Sequence, residues 1–329
     1  MALSRRRGCP PYPLESIPGG AVAVTVAAEW EGATLQTFWR SGLGLSLRLF
    51  RAFKRGGSVL RQGGEGEWER LRGPDRLRAG DRLRLLPPEE ESRVRPEPLP
   101  LRVVWEDAHL LLVAKPPGQV VHPTHGVAGG TLANAVAHHL ARTGEKAGVH
   151  PVHRLDRPTS GLVLFARSRL AHDRLSACGL HRFYLALVER PEGRGALPRR
   201  VEAPLAREPG RARRLVAAGG RPARTRLRPL AATERWALLL VRPETGRTHQ
   251  IRAHLAWSGF PVLGDALYGA RIAGPDEPAG AVALHAWQLA FRHPVDGRPL
   301  RFRLAPPDGW RPWLELLGNT GRRLLHDPR

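Results

Sequence analysis

The sequence predicts an α+β protein with a large domain over residues 101–310 and a small one over 21–88. Its strand-like Leu- and Val-rich segments do not alternate regularly with helical ones, which argues against a doubly wound sheet. A stretch from Pro87 through Pro100, rich in Pro, Glu and Arg and including Glu89-Glu90-Glu91, has too little apolar content to pack. It reads as a linker over 89–100 between two segments of ordinary composition. With 329 residues, 42% of them hydrophobic, the chain can bury one substantial core and an accessory one.

Residues 1–20 combine Pro, Gly and Arg with little periodicity and read as a flexible arm. In the small domain Ser46 is placed to cap a helix whose Leu47, Leu49, Phe50 and Phe53 form an apolar face. Arg48, Arg51, Lys54 and Arg55 fall on the opposite, exposed face, suited to contact with a nucleic-acid backbone. After the Gly80-Asp81 turn, Leu83 and Leu85 alternate with Arg82 and Arg84 as a strand does. The large domain opens with strands expected at Leu101 to Trp105 and His109 to Ala114. Thr131 then caps a helix running to Arg142. Further strands are expected at Leu162 to Ala166, Phe183 to Val188 and Trp236 to Val241, and helices at Arg169 to Cys178 and Thr248 to Trp257. Residues 311–329 read as a C-terminal tail.

The formal charge is +22, from 52 basic and 30 acidic residues, and only three of the basic ones are lysines. Arginine's planar fork suits phosphates and base edges. Compositional drift accounts for an Arg-for-Lys exchange but not for the net excess of charge, so a polyanionic partner is expected. Residues 1–100 hold 17 basic and 12 acidic side chains, a net of +5, which leaves +17 for the large domain. Twelve arginines lie between Arg190 and Arg228 against Glu192, Glu202 and Glu208. They form either a phosphate-gripping loop or hairpin, or a solvated insertion. Cys9 and Cys178 are the only cysteines, with no Cys-x-x-Cys pair and no disulfide framework to suggest an oxidising compartment. The basic N-terminus lacks the apolar run of a secretory signal, and no apolar run approaches a membrane span, so a cytoplasmic protein without a membrane partner is expected.

Two segments collect chemistry. In His153-Arg154-Leu155-Asp156-Arg157-Pro158-Thr159-Ser160-Gly161, a charged cluster enters a turn and leaves as an apolar strand, which places Asp156 on a loop braced by the core. On composition alone Asp156 reads more readily as a turn or salt-bridge residue than as a site carboxylate. In Thr245-Gly246-Arg247-Thr248-His249-Gln250-Ile251-Arg252, a strand end and turn precede a helix that Thr248 is placed to cap, and Arg252 lies one turn along. An anion-binding role and an ordinary surface charge both remain open there. Histidines are numerous, but there is no His-Glu-x-x-His or cysteine-ligand set, no dinucleotide fingerprint and no phosphate-binding loop, so neither metal nor cofactor is expected.

Taken in order, these segments resemble the RluA family of RNA pseudouridine synthases. The resemblance rests on His109 to Gly118, Val121-His122-Pro123, HRLDRPTSGLVLFAR at 153–167, Phe183 to Val188, TGRTHQIRAHLA at 245–256, Pro261 to Gly269 and Leu284-His285-Ala286. It implies a catalytic domain with a mixed, mainly antiparallel central sheet. It implies Asp156 as the catalytic aspartate, Tyr184 as the active-site tyrosine against the uracil, and Arg252 as the basic partner of the aspartate. Arg154 would occupy the stack when the target nucleotide flips out, and Arg157, Arg247 and His249 are further candidates at the RNA, the last two equally suited to structural capping. Residues 21–88 resemble a divergent S4-type RNA-binding domain of α/β type, departing from it at Glu31 to Leu35 and Leu60 to Gly63.

The implied reaction detaches uracil at N1 and rejoins it at C5 with no cofactor. An ionised carboxylate near C1′ suits the charge that develops there, whether by addition to C1′ or by removal of the 2′ proton. The expected partner is structured RNA acted on by a monomer, with 23S ribosomal RNA favoured over transfer RNA because an S4-like domain accompanies the catalytic one. A non-catalytic RNA-binding protein would use the same basic faces but would have no need of Asp156, Tyr184 and Arg252 together.

Overall fold

The computed structural model describes residues 13–63, 66–88, 92, 94–144, 147–193, 195–271 and 281–326. The start of the small unit is woven into its sheet. Strands β1 (Glu15–Ile17), β2 (Ala21–Thr25), β3 (Ser58–Gln62), β4 (Trp68–Arg70) and β5 (Arg82–Leu86) form a five-stranded antiparallel sheet in the order β1-β2-β5-β3-β4. Helices α1 (Leu35–Thr37), continued as a wider turn over Phe38–Gly42, and α2 (Leu47–Gly56) supply Trp39, Leu49, Phe50 and Phe53 to its core. Ser46 caps α2 by accepting the Leu49 N–H. Leu47 is not among the buried residues, because it sits at the first helical position beside the cap.

The larger unit is built on a ten-stranded sheet. Its strands are β6 (Arg102–Glu106), β7 (Leu110–Lys115), β8 (His150–Pro151), β9 (Ser160–Ala166), β10 (His181–Glu189), β11 (Arg200–Glu202), β14 (Arg224–Ala232), β15 (Trp236–Pro243), β16 (Leu284–Arg292) and β17 (Pro299–Arg303). The order is β11-β14-β15-β10-β16-β9-β7-β6, with β17 on β16 and β8 on β9. Strands β12 (Leu205–Arg207) and β13 (Arg214–Val216) make a separate hairpin within the arginine-rich segment. Helices α3 (Leu132–Arg142), α4 (Arg169–Cys178) and α5 (Gln250–Trp257) complete the unit. Among the described residues, every strand pairing is antiparallel except β9 with β16. The mixed, mainly antiparallel α+β architecture is therefore as expected.

The single parallel pairing depends on a glycine. Gly161 has φ +120°, and a Cβ there would lie 2.5 Å from the backbone of Ala286, so no side chain fits where the two strands meet. That closeness brings β9, which follows the Asp156 loop, against the centre of the sheet.

Several boundary expectations are corrected. The arm read over 1–20 is part of the sheet from β1 onward, and the Leu14 N–H donates to Val295 O at 2.7 Å, because Leu14 is buried in the small unit's core; residues 1–12 lie outside the described residues. The segment read as a linker docks on α3: the Glu97 carboxylate accepts the Gly130 N–H at 2.8 Å and Asn134 donates to Arg95 O at 2.8 Å. Val94 and Leu101 pack against the large core, while Glu89 to Glu91 lie outside the described residues. The tail forms α6 (Arg311–Glu315) and α7 (Gly318–His326); Leu314 is fully buried and Trp313 meets Trp236 edge-on at 5.4 Å. Its widely spaced Trp and Leu residues carry that packing, which a tail of polar composition would lack. Of the two cysteines, Cys178 ends α4 and Cys9 lies outside the described residues.

The two units touch directly. Ser46, besides capping α2, donates from Oγ to Asp173 Oδ2 on α4 at 2.6 Å. Leu170 and Val295 of the large unit join the small unit's hydrophobic cluster. The exposed basic face of α2 is thus carried on a docked unit, not on one swinging from a linker.

Candidate active site

Asp156 stands on the loop between β8 and β9, where it lines an open cleft together with Arg154, Thr159, Arg182, Tyr184 and the 245–251 turn. The loop is held from behind by Lys115 at the end of β7. Its buried Nζ donates to the carbonyls of Pro116, Gln119 and Arg157 at 2.8, 2.9 and 3.1 Å. Burial pulls the Lys115 pKa down to about 7, with the nearby Asp156 charge opposing the fall. Three carbonyl acceptors match the three N–H donors of an ammonium, so the geometry favours the charged form. The Gly118 N–H also donates to Arg157 O at 2.8 Å, and Arg157 Nε returns a hydrogen bond to Gly118 O at 2.9 Å. The Asp156 loop is therefore clamped to the 115–118 turn.

Tyr184 projects from β10 into the cleft and is 6% exposed. Burial raises its hydroxyl pKa, which Arg182 opposes and Asp156 reinforces. The phenol therefore stays protonated as a wall that can donate a hydrogen bond. His153, two residues before Leu155, is half-buried with its ring turned into the protein, and its pKa falls to about 3 through burial with a contribution from Arg182. It accepts the Leu164 N–H at 3.2 Å as a neutral ring, so it ties the loop to β9 and does not act as a proton carrier.

On the far wall, Arg252 of α5 lies 3.7 Å from Asp156 through Nη1 and Oδ2, with side-chain exposures of 4% and 16%. Its stronger partner is Asp265, which it meets in a two-point hold at 2.7 Å from Nε and 2.8 Å from Nη2. The Arg252 pKa is raised: burial, the largest influence, works against this, and the hydrogen bond and charge of Asp265 outweigh it. The expected pairing of Arg252 with Asp156 thus becomes a secondary contact of a guanidinium fixed elsewhere. Tyr268 lies under Arg252, with the guanidinium 5.1 Å from the ring centre. Its hydroxyl accepts the Arg214 N–H at 2.9 Å and lies 3.2 Å from His249 Nδ1.

The turn before α5 is set by Gln250. Its Oε1 accepts from Thr245 Oγ1 at 2.7 Å and from the Arg247 N–H at 3.0 Å, while its Nε2 donates to Arg224 O at 2.8 Å. The expected cap at Thr248 is corrected: His249 holds the N-cap position with φ 55°, in the left-handed region, and makes no side-chain cap. Gln250 already satisfies the turn, which lets the His249 ring face the cleft. Burial lowers the His249 pKa, with the charge of Asp156 opposing.

The structure brings Asp156, Tyr184, Arg154, Arg247 and His249 to the cleft lining, with Arg252 behind Asp156. Arg154 is exposed at its mouth. Arg157 is not among the lining residues, its guanidinium being engaged with Gly118. Arg48, Arg51, Lys54 and Arg55 stand on α2 in the small unit, away from the cleft. Asp265, Tyr268, Arg182 and Lys115 are site residues that sequence reasoning misses. Asp265 and Tyr268 lie in the 261–269 run and Lys115 in the 109–118 run, so a signal is present there without a geometry to interpret it. Among the described residues, no group of three or more His, Cys, Asp or Glu side chains is placed to share a metal ion.

Comparison with known proteins supplies the chemistry. A family model described as RNA pseudouridylate synthase matches residues 109–257. An uncharacterised RNA pseudouridine synthase of Bacillus subtilis is 37% identical over 273 residues, covering 80% of this chain and 93% of its own. A ribosomal large subunit pseudouridine synthase D of Xanthomonas campestris pv. campestris is 38% identical over 280 residues, covering 79% and 81%. Among solved structures, human RNA pseudouridylate synthase domain containing 4 aligns over 69% of this chain and 95% of its own with a TM-score of 0.50 at 21% identity, a likeness of fold.

Proposed function

The chain belongs to the RNA pseudouridylate synthase family and is an RNA pseudouridine synthase, and from that premise we propose that it isomerises uridines of 23S ribosomal RNA with Asp156 as the catalytic carboxylate. The observation that carries the site assignment is the meeting of Asp156, Tyr184 and Arg252 from three separate elements at one cleft. The choice of RNA is supported by the relatives named for the large ribosomal subunit, which match at 36 to 38% identity.

In this reading the target uridine leaves its stack, at a cost on the order of a few kcal/mol, and enters the cleft. Arg154 at the mouth offers a planar guanidinium to the vacated position. Asp156 acts at the ribose as the N1–C1′ bond breaks. The detached uracil turns against the Tyr184 ring, the C5–C1′ bond forms, and C5 gives up its proton while the freed N1 takes one up, so the product is an isomer of the substrate. Arg252, fixed by Asp265, directs Nη1 at Asp156 and favours its ionised form. Arg247 and His249 on the 245–251 turn would meet phosphate, and Arg157 would serve mainly by bracing the loop.

The small unit is read as S4-like, with Arg48, Arg51, Lys54 and Arg55 of α2 presented to RNA. The enzyme is taken to act as a monomer. Ribosomal RNA as substrate places the enzyme in the cytoplasm, and no helix among the described residues is long and apolar enough to cross a membrane.

Position-resolved pseudouridine mapping of total RNA from cells with and without the gene tests the choice of RNA. Loss at one or more 23S positions is expected. Loss confined to transfer RNA would move the substrate to that class and overturn the ribosomal reading.

A further inference from the structure

The central sheet has a second face, turned away from Asp156. Side chains alternate along β10, so Arg182 and Tyr184 enter the cleft while His181 and Phe183 emerge on the opposite side. The register of the neighbouring strands continues Phe183 into a row across the sheet. Arg226 of β14 pairs with Arg242 of β15, Phe183 pairs with Gln288 of β16, and Gln288 pairs with Arg303 of β17. The register of β10 with β15 sets Phe183 opposite Arg242. At about 4.8 Å per strand, this row spans roughly 20 Å.

The row lies in an open groove of about 530 Å³, against about 100 Å³ for the Asp156 cleft. Six arginines line it, Arg199, Arg226, Arg228, Arg242, Arg301 and Arg303, and no acidic side chain among the described residues does. Glu244, at its border, engages Arg226 and also draws Arg200 and Arg224. Two aromatic rings sit among the arginines: Arg242 lies 5.8 Å from the Phe183 ring centre and Arg303 lies 5.2 Å from that of Trp287. Arg303 is further oriented by Gln288, whose Oε1 accepts from its Nε at 3.0 Å. At the other end of β15, Trp236 is covered by Trp313 of α6. The C-terminal helices thus close one half of this face and stop short of the arginine half.

We propose that this arginine-lined groove on the back of the sheet is a second RNA site that holds a single-stranded segment flanking the one in the Asp156 cleft. The proposal rests on the reading of the chain as an enzyme acting on RNA. Guanidinium groups interleaved with rings along an open groove are what a single strand requires, phosphates meeting charge and unstacked bases meeting an aromatic face. A duplex would present only phosphates and leave the rings without use. The six-to-none balance of charge excludes a basic partner and leaves an acidic protein surface as the rival occupant.

The test uses the full-length chain and a fluorescein-labelled dodecauridylate, with affinity followed by anisotropy from 50 to 300 mM KCl. Arg228→Glu/Arg301→Glu removes two exposed groove charges with no place in the cleft, and Arg228→Gln/Arg301→Gln is the milder companion if the reversal disturbs folding. The probe should bind the Gln pair about tenfold more weakly than the wild type. Its log–log salt slope should fall by about 1.4, the share of two single-strand phosphates. In an Arg154→Glu background, which obstructs the cleft mouth, the loss should be of the same size. Photocrosslinking of a 4-thiouridine version should mark the peptides bearing Phe183 or Trp287. Affinity and slope within twofold and 0.3 of wild type in both groove variants would overturn the proposal and leave the face to an acidic protein. Because the readout is binding of a generic strand, it stands apart from whether 23S RNA is the substrate.

Discussion

Arg252 gives Asp265 two hydrogen bonds at 2.7 and 2.8 Å and stands 3.7 Å from Asp156, so one carboxylate fixes the guanidinium that faces another. The pair is almost fully buried, with exposures of 4% and 1%. Removing one member of such a pair strands the other, at a cost of about 3–5 kcal/mol. Asp265→Ala is expected to lose that much stability in urea unfolding. Asp265→Asn keeps the shape but turns a donor toward Arg252, and should lower single-turnover rates at least tenfold while leaving RNA affinity within about twofold. A rate within twofold of wild type would remove Asp265 from the account of the site.

Asp156→Ala removes the carboxylate proposed to react and none of the arginines lining the cleft or α2. Tritium release from RNA labelled at uridine C5 should fall to background, with RNA binding retained within about threefold. Arg252→Met should cost rate more than affinity, since its guanidinium is 4% exposed behind Asp156 and is poorly placed to grip phosphate. Turnover by the alanine variant comparable to wild type would sink the assignment of Asp156.

What the sequence discloses and what it withholds divide along physical lines. Helix α4 is expected at Arg169 to Cys178 and forms over those residues, and the caps at Ser46 and Thr131 are both made, because capping and periodicity are local properties. The cleft's loops are legible as motifs, since Asp156 and Arg252 each lie in a distinctive run. The partnership of Arg252 with Asp265 is not, because two residues thirteen apart, on α5 and on the turn beyond it, meet only once the chain between them has folded back. Thr248 has the residue type of a cap, and no local rule foretells that Gln250 satisfies the turn and leaves His249 at φ 55°. Residues 13–17 and 311–326 read as loose ends because their apolar residues are few and unevenly spaced. Their burial depends on surfaces supplied by distant parts of the chain, such as Val295 and Trp236.

The basic face of α2 gives a test of the small unit. Arg48, Arg51 and Lys54 project from a helix that is anchored at its N-terminal end by Ser46 to Asp173 at 2.6 Å. Arg48→Gln/Arg51→Gln/Lys54→Gln should weaken binding to a structured 23S fragment and lower the salt slope by about 0.9 for each duplex phosphate no longer neutralised. Single-turnover rate at saturating RNA should stay within twofold. An unchanged slope would mean that this face does not carry the RNA.

His153 and His285 make the fold sensitive to acid. Burial lowers their pKa values to about 3 and about 4, from an ordinary value of 6.5. His285 Nε2 faces Leu304 O at 3.0 Å and its Nδ1 faces Ser160 Oγ at 2.8 Å, so the neutral ring is satisfied at both nitrogens as an Nε2–H donor and an Nδ1 acceptor. As pH falls through 6.5 the unfolded chain takes up protons that the folded chain refuses. Stability is therefore full above that pH and declines toward the folded values of about 4 and 3. At pH 5 each histidine should cost about 2 kcal/mol relative to pH 7.5. Urea midpoints at the two pH values, read for the wild type and for His285→Gln, measure the effect. The substitution should lower stability at pH 7.5 but narrow the pH difference by about 2 kcal/mol, since glutamine keeps a donor and an acceptor and cannot titrate. A pH difference as wide in the variant as in the wild type would show that the acid sensitivity arises at other groups.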